Sequence, residues 1–204
     1  MVNMLKFDDK SLSEILANFS EERCLAFSVS STTRLLPCYE HYARNHLSDC
    51  SELPRTLVND LWQKALEGDF DLSGWGDSLE QIMQMIPQED EGDGFVDLLA
   101  EDALASLAYS IRYLLSQDVQ EAIWSAKRAY EAADQAAIKM LKAKPESIKF
   151  EQVVVGHEFV QRILLFQKKD IELLHAGDIG TVHQNAMAQA IFSRAELQKF
   201  NITA

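Results

Sequence analysis

The 204-residue chain is predicted to be all-α: a single-domain helical bundle of about seven to nine helices, with two long antiparallel C-terminal helices. Apolar residues recur at spacings of three and four along most of its length, the period of helices with one buried face, and strand-like alternation is scarce. Apolar residues make up 47% and charged residues 25%, an ordinary globular balance that argues against long disorder. A chain of this size buries about 70% of the surface its unfolded form exposes, so one core over 1–204 suffices. No repeat, linker or low-complexity run marks a second domain.

The elements follow in order. Leu12, Ile15, Leu16 and Phe19 share one face of a first helix opening near Asp9 or Ser11. Ser20 reads as a fresh N-cap, with Glu21 and Glu22 placed in a first turn where they favour the helix dipole. That helix is predicted to run to Leu36, where Pro37 ends it and opens a short helix bearing Tyr39, Tyr42 and His46. Ser51 and Pro54 begin another, with Leu57, Val58, Leu61, Trp62 and Ala65 on its face, and Gly68 ends it. Asp69 to Gly76 reads as a loop, followed by a helix carrying Leu79, Ile82, Met83 and Ile86 until Pro87, then an acidic turn from Gln88 to Gly94.

From Phe95 to Leu115 a wide apolar face predicts the central helix of the bundle. Val119, Ile123, Ala126, Tyr130, Ala133, Ala137 and Met140 form a seam of alternating four- and three-residue steps, as in helices packed lengthwise. After Pro145 the same spacing returns at Val153, His157, Val160, Leu164, Gln167, Ile171 and Leu174, stopping at Gly177. Residues 178–204 offer one more helix, with Val182, Ala186 and Ile191, as an extension able to pack on a second subunit.

The net charge of −13 is unevenly placed. Between Ala65 and Ile111 there are 12 Asp or Glu and no Lys or Arg, whereas the remainder carries 20 acids against 19 bases. Such a surface repels nucleic acid, whose binding needs Lys and Arg to displace counterions from phosphates. No apolar run approaches the length of about 18 residues that a membrane span needs, and Met1 to Lys10 lacks the pattern of a signal peptide, which predicts a cytoplasmic protein. Cys24, Cys38 and Cys50 are odd in number and form no C-x-x-C pair, so free buried thiols are expected.

Several stretches resemble one family. They are R-x-L-x-x-x-L-W from Arg55 to Trp62, I-P at Ile86 and Pro87, A-E-D-A from Ala100 to Ala103, and D-I-E-L-L from Asp170 to Leu174. Over roughly Leu16 to Leu174 the chain resembles the domain of unknown function 416 family, the YjaG-like bacterial proteins. The resemblance implies an all-helical fold and carries no established activity or catalytic residue.

The sharpest chemical pattern runs from Asp69 to Glu80 and fits the twelve-position calcium loop of an EF-hand. Asp69, Asp71, Ser73 and Asp77 supply oxygens at positions 1, 3, 5 and 9, Gly74 sits at the sixth, where the turn is sharp, and Glu80 at the twelfth can bind with both oxygens. Against it, Gly76 stands where an apolar residue normally pairs two loops, and no second loop follows. The competing reading is an acidic helix connection whose Asp and Ser side chains cap and turn.

Cys38, His41, His46 and Cys50 are zinc-type ligands, but on one helix they spread over about half its circumference and two to three turns. They are read as core or half-buried thiols and surface histidines. Asp97, Glu101 and Asp102 would serve a metal-dependent hydrolase only by converging in one cleft; otherwise Asp97 and Glu101 face solvent and Asp102 lies at the border or pairs with an arginine. His157 is read as a buried or half-buried histidine bonded to a neighbouring helix, and Trp62 and Trp124 as core or interface aromatics. With no nucleophile and base pairing, Gly-rich phosphate loop or H-E-x-x-H motif, no catalytic residue is assigned and no cofactor is required. The expected function is a non-catalytic interaction or adaptor protein, a homo-oligomer or the binder of a basic partner protein through its acidic surface, with divalent-cation binding and hydrolysis as alternatives.

Overall fold

A helix buried on all sides is the pivot of the molecule. In α2 (Glu21–His46) every residue from Cys24 to Leu36 is buried, so the other helices are arranged around it. The structure, a computed structural model, describes residues 4–46, 52–87, 94–141 and 150–200, and among these all regular structure is helical. Around α2 lie α1 (Asp9–Leu16), α3 (Leu53–Glu67), α4 (Trp75–Met85), α5 (Phe95–Ser116), α6 (Val119–Met140), α7 (Phe150–Val155), α8 (Glu158–His175), α9 (Ile179–Ala188) and α10 (Arg194–Phe200). Helix starts follow the sequence signals: Asp8 caps α1 through the N–H groups of Lys10 and Ser11, and α2 begins directly after Ser20. Gly68 ends α3 at φ 70, a left-handed conformation that a glycine adopts without steric cost.

Three expectations need correction. Pro37 does not divide α2, which continues through it for 26 residues. Proline has no N–H to give the Thr33 carbonyl, but the surrounding packing holds the helix together, and Arg34, one residue on, lends its carbonyl to the Ile191 N–H at 3.0 Å. The second correction is the central element, which is α2 rather than α5. A partly polar sequence hid this, because Ser28, Ser30, Ser31, Thr32, Thr33 and Arg34 are all buried. The third concerns the predicted C-terminal seam, which breaks at Gly156 and His157. His157 takes an extended backbone (φ −65, ψ 146) and caps α8, its Nδ1 accepting the Phe159 N–H at 3.3 Å.

Some of the buried polar residues of α2 are satisfied by hydroxyls on the helices crossing it. Ser28 lies 2.7 Å from Ser110, and Thr32 lies 2.8 Å from Ser106, 2.9 Å from Ser110 and 3.1 Å from Ser125. Small hydroxyl side chains let α2, α5 and α6 approach closely while the hydroxyls of Ser28, Thr32, Ser106, Ser110 and Ser125 each keep a partner, the condition for burying them; Ser31 Oγ and Arg34 Nε on α2 are buried without a hydrogen bond. Arg34 and Asp170, both 1% exposed, form a two-pronged ion pair at 2.5 and 2.9 Å, and Ser30 adds a hydrogen bond to Asp170 at 2.7 Å.

Residues 178–200 lie against their own chain. Val182 and Ala186 of α9 are buried, and Phe200 of α10 packs its ring against Phe95 and Phe192 at 5.2 and 5.4 Å between centroids. At the other end Gln161 holds the strap before α1, accepting the Leu5 N–H at 3.0 Å and donating to its carbonyl at 2.9 Å.

Candidate functional site

The C-terminal half of α3 and the start of α4 enclose a cleft of about 420 Å³. The apolar stripe of α3 turns Leu57 into the cleft floor, where Trp75, the first residue of α4, meets it; both are buried. The rim is polar because it is the solvent face of α3: Asp60, Gln63, Lys64 and Glu67, joined by Asp69 and Ser73 from the connection. Asp60, Glu67 and Asp69 are exposed carboxylates, and the one cation among the lining residues, Lys64, donates to the Asp69 carbonyl at 3.2 Å. Leu66 and Leu72, 46% and 43% exposed, lie in the same region of the chain. The cleft is thus mainly polar, with the barely exposed edges of Leu57 and Trp75 at its base and three carboxylates on its rim.

The Asp69 to Glu80 pattern falls at this cleft, and its first half is a chain of short turns. Asp69 Oδ1 accepts the Asp71 N–H at 3.1 Å, and Asp71 Oδ1 accepts both the Ser73 N–H at 3.0 Å and its hydroxyl at 2.7 Å. Those Ser73 bonds hold the Asp71 carboxyl below the usual carboxylate range. Gly74 takes φ 79 at the sixth position, and α4 starts at the seventh, so Asp77 and Glu80 project from a helix. Among the described residues, no three His, Cys, Asp or Glu side chains gather in a group able to hold a metal ion.

The other candidates separate. Asp97 folds back on its own helix start, its Oδ2 accepting the Gly94 N–H at 3.1 Å. Asp102 is 3% exposed and pairs with Arg128 Nη1 at 3.2 Å, while its Oδ2 has no hydrogen-bond partner. Burial pushes the Asp102 carboxyl up to about 7 against the pull of the Arg128 guanidinium. Cys38 and His41 are both buried on α2, so the reading of His41 as a surface residue is corrected: the Pro37 helix continues and turns that position inward. His46 is exposed at the helix end and stacks on Tyr42 at 5.1 Å, and Cys50 lies outside the described residues, as does the acidic turn 88–93. Burial raises the thiols of Cys38 and of Cys24, the latter to about 11, so both stay protonated. His157 is half-buried at the α8 cap, Trp62 is core, donating to Thr33 at 2.8 Å, and Trp124 is exposed.

Sequence reasoning missed the hydroxyl layer and the Arg34–Asp170 pair. A signal was present: Ser28 with Thr32 and Ser106 with Ser110 stand four apart on helices otherwise rich in apolar residues. Arg34 has no acid three or four residues away to neutralise it locally, so its counter-ion had to come from another element.

The architecture defines an all-helical bundle with a layer of mutually bonded hydroxyls in its interior and an acidic cleft open to solvent. Its affiliation is specific: a family model described as protein of unknown function (DUF416) matches residues 11–188, and the chain belongs to that family. A crystal structure of a DUF416 family protein from Shewanella baltica OS155 is similar at TM-score 0.73 and 13% identity, over 86% of this chain and 92% of that one. At that identity the likeness speaks for the fold alone. No curated protein matches. Among the described residues no helix is long and apolar enough to cross a membrane.

Proposed function

We propose that the protein is a non-catalytic interaction or adaptor protein that docks a basic, partly apolar segment of another protein in the α3–α4 cleft. The supporting observation is the lining: Leu57 and Trp75 below, the carboxylates of Asp60, Glu67 and Asp69 above, and Lys64 already turned to a backbone carbonyl. A rim dominated by carboxylates gives partner choice through the field, and the small apolar base adds a contact for the partner's apolar side chains. The test is fluorescence anisotropy with a labelled Lys/Leu amphipathic peptide at about 50 and about 500 mM salt, since rim charges are screened over about a Debye length. Binding that weakens with salt and is abolished by joint Asp60→Lys, Glu67→Lys and Asp69→Lys supports the reading. Binding indifferent to both overturns it.

A second reading, calcium held by Asp69, Asp71, Ser73, Asp77 and Glu80, is favoured by the left-handed Gly74 at the loop's sharp turn. It requires Asp69 and Asp71 to exchange their present turn bonds for the ion. A native-state ligand must stabilise the protein, so millimolar calcium that leaves Tm unchanged rejects it.

A further inference from the structure

α5 and α6 run antiparallel in a fixed register. Ser106 lies 3.0 Å from Ser125, Asp102 3.2 Å from Arg128, the Tyr109 ring 5.5 Å from Trp124, and Lys139 sits 4.8 Å over Phe95. Their inner sides belong to the core, yet their outer side leaves large apolar groups in water: Leu98 is 48%, Trp124 38% and Ile138 41% exposed. The register places Trp124 toward the turn joining the two helices and Leu98 with Ile138 toward the opposite end. Half-buried Ala105 lies between them, so the face is low at its centre. Charge divides along the same axis between Arg112 toward the turn and Glu101 away from it, while Arg128 and Glu131 pair with each other at 3.5 Å near the middle and Lys127 reaches Asp9 of α1 at 3.4 Å.

We infer that this face is a two-fold symmetric interface with a second copy of this chain. A two-fold axis through the middle of the face reverses the partner's helix pair end for end. Trp124 then meets the partner's Leu98 and the partner's Ile138, and Arg112 meets the partner's Glu101. A surface whose two ends are apolar and carry opposite charges pairs with itself, as an isologous interface must. The size agrees. Two helices of 22 residues each make a patch about 33 Å long and about 20 Å wide, so a dimer buries about 1,300 Å² in total, within the lower range of stable specific interfaces. The inference is independent of the cleft on α3 and α4, which lies on other elements.

Sedimentation velocity of the full chain from about 1 to about 200 μM tests it, a range chosen because interfaces of this area reach micromolar affinity. The expected result is a reversible dimer. Leu98→Glu and Trp124→Glu each weaken it at least about tenfold, whereas Met187→Glu on α9, a residue 49% exposed away from this face, leaves it unchanged. Glu101→Lys weakens association, and adding Arg112→Glu restores it, because the two reversals re-create the opposite charges across the axis. Circular dichroism confirms that each variant folds, and the charge exchange, made at polar positions outside the core, decides the matter if the Trp124 variant does not. A chain that stays monomeric throughout overturns the inference, as does a dimer indifferent to Leu98→Glu or one in which the double reversal restores nothing.

Discussion

Replacing Asp170 by asparagine keeps the shape of the side chain and removes its charge, which isolates the worth of a buried counter-ion. Asp170 accepts two hydrogen bonds from Arg34 and one from Ser30, and both ionic partners are 1% exposed. After the change the Arg34 guanidinium remains in the core without a counter-charge, with only the face of Phe166 at 5.0 Å in partial compensation. Breaking one side of such a pair costs about 3–5 kcal/mol. For a domain of this size each kcal/mol moves Tm by about 2–4 °C, so a fall of about 6–20 °C is expected. The same logic predicts that removing both charges, Arg34→Met with Asp170→Leu, recovers most of the loss, because apolar side chains of similar volume pay no desolvation cost. Urea denaturation with the slope held in view separates a stability change from a change in the unfolded state. A loss below about 1 kcal/mol for Asp170→Asn, or a double variant no more stable than the single one, refutes the reasoning.

Other outcomes follow from the same structure. The Asp102 carboxyl sits at about 7 in the folded protein and near its ordinary value of about 3.9 when unfolded, so the native state holds a proton the unfolded chain has lost between those values. The contribution of Asp102 to stability is therefore greatest below about pH 4, falls as the pH climbs to about 7 and stays reduced above it; Asp102→Asn removes that component of the pH dependence, at least about 2 kcal/mol between pH 5 and 8 in urea titrations. Ser125, fully buried and within 3.1 Å of three hydroxyls, has no room for a branched chain, so Ser125→Leu should cost about 1–3 kcal/mol and more than Ser125→Ala in the same titration. With Cys50 replaced by serine, Cys24 and Cys38 should resist iodoacetamide at pH 8 and react within minutes only in denaturant, which mass spectrometry reads directly.

Much of the architecture was legible in the chain because helix period and punctuation are local properties. α5 and α6 occupy almost the spans their apolar spacing predicts, and Gly68 and Gly177 end helices at φ 70 and 80, where an L side chain is strained. The Asp69 to Glu80 stretch was recognisable as a turn-rich acidic connection, and its glycine sits in the left-handed region that the pattern demanded.

What the tertiary structure alone decided is which polar residues lie inside. A run such as Ser28 to Arg34 looks solvent-facing until hydroxyls 74 to 97 positions away and a carboxylate 136 positions away are brought to it, because a polar group's burial depends on distant partners and leaves no periodic trace. The same holds for Pro37, whose lost hydrogen bond is tolerated only inside this packing, and for the break at Gly156, fixed by the His157 cap. Composition and periodicity determined that the chain is helical and where its negative charge concentrates. Assembly of the helices determined that α2, not the more apolar α5, stands at the centre, since long-range hydrogen bonding can offset polarity that the sequence displays only as a cost.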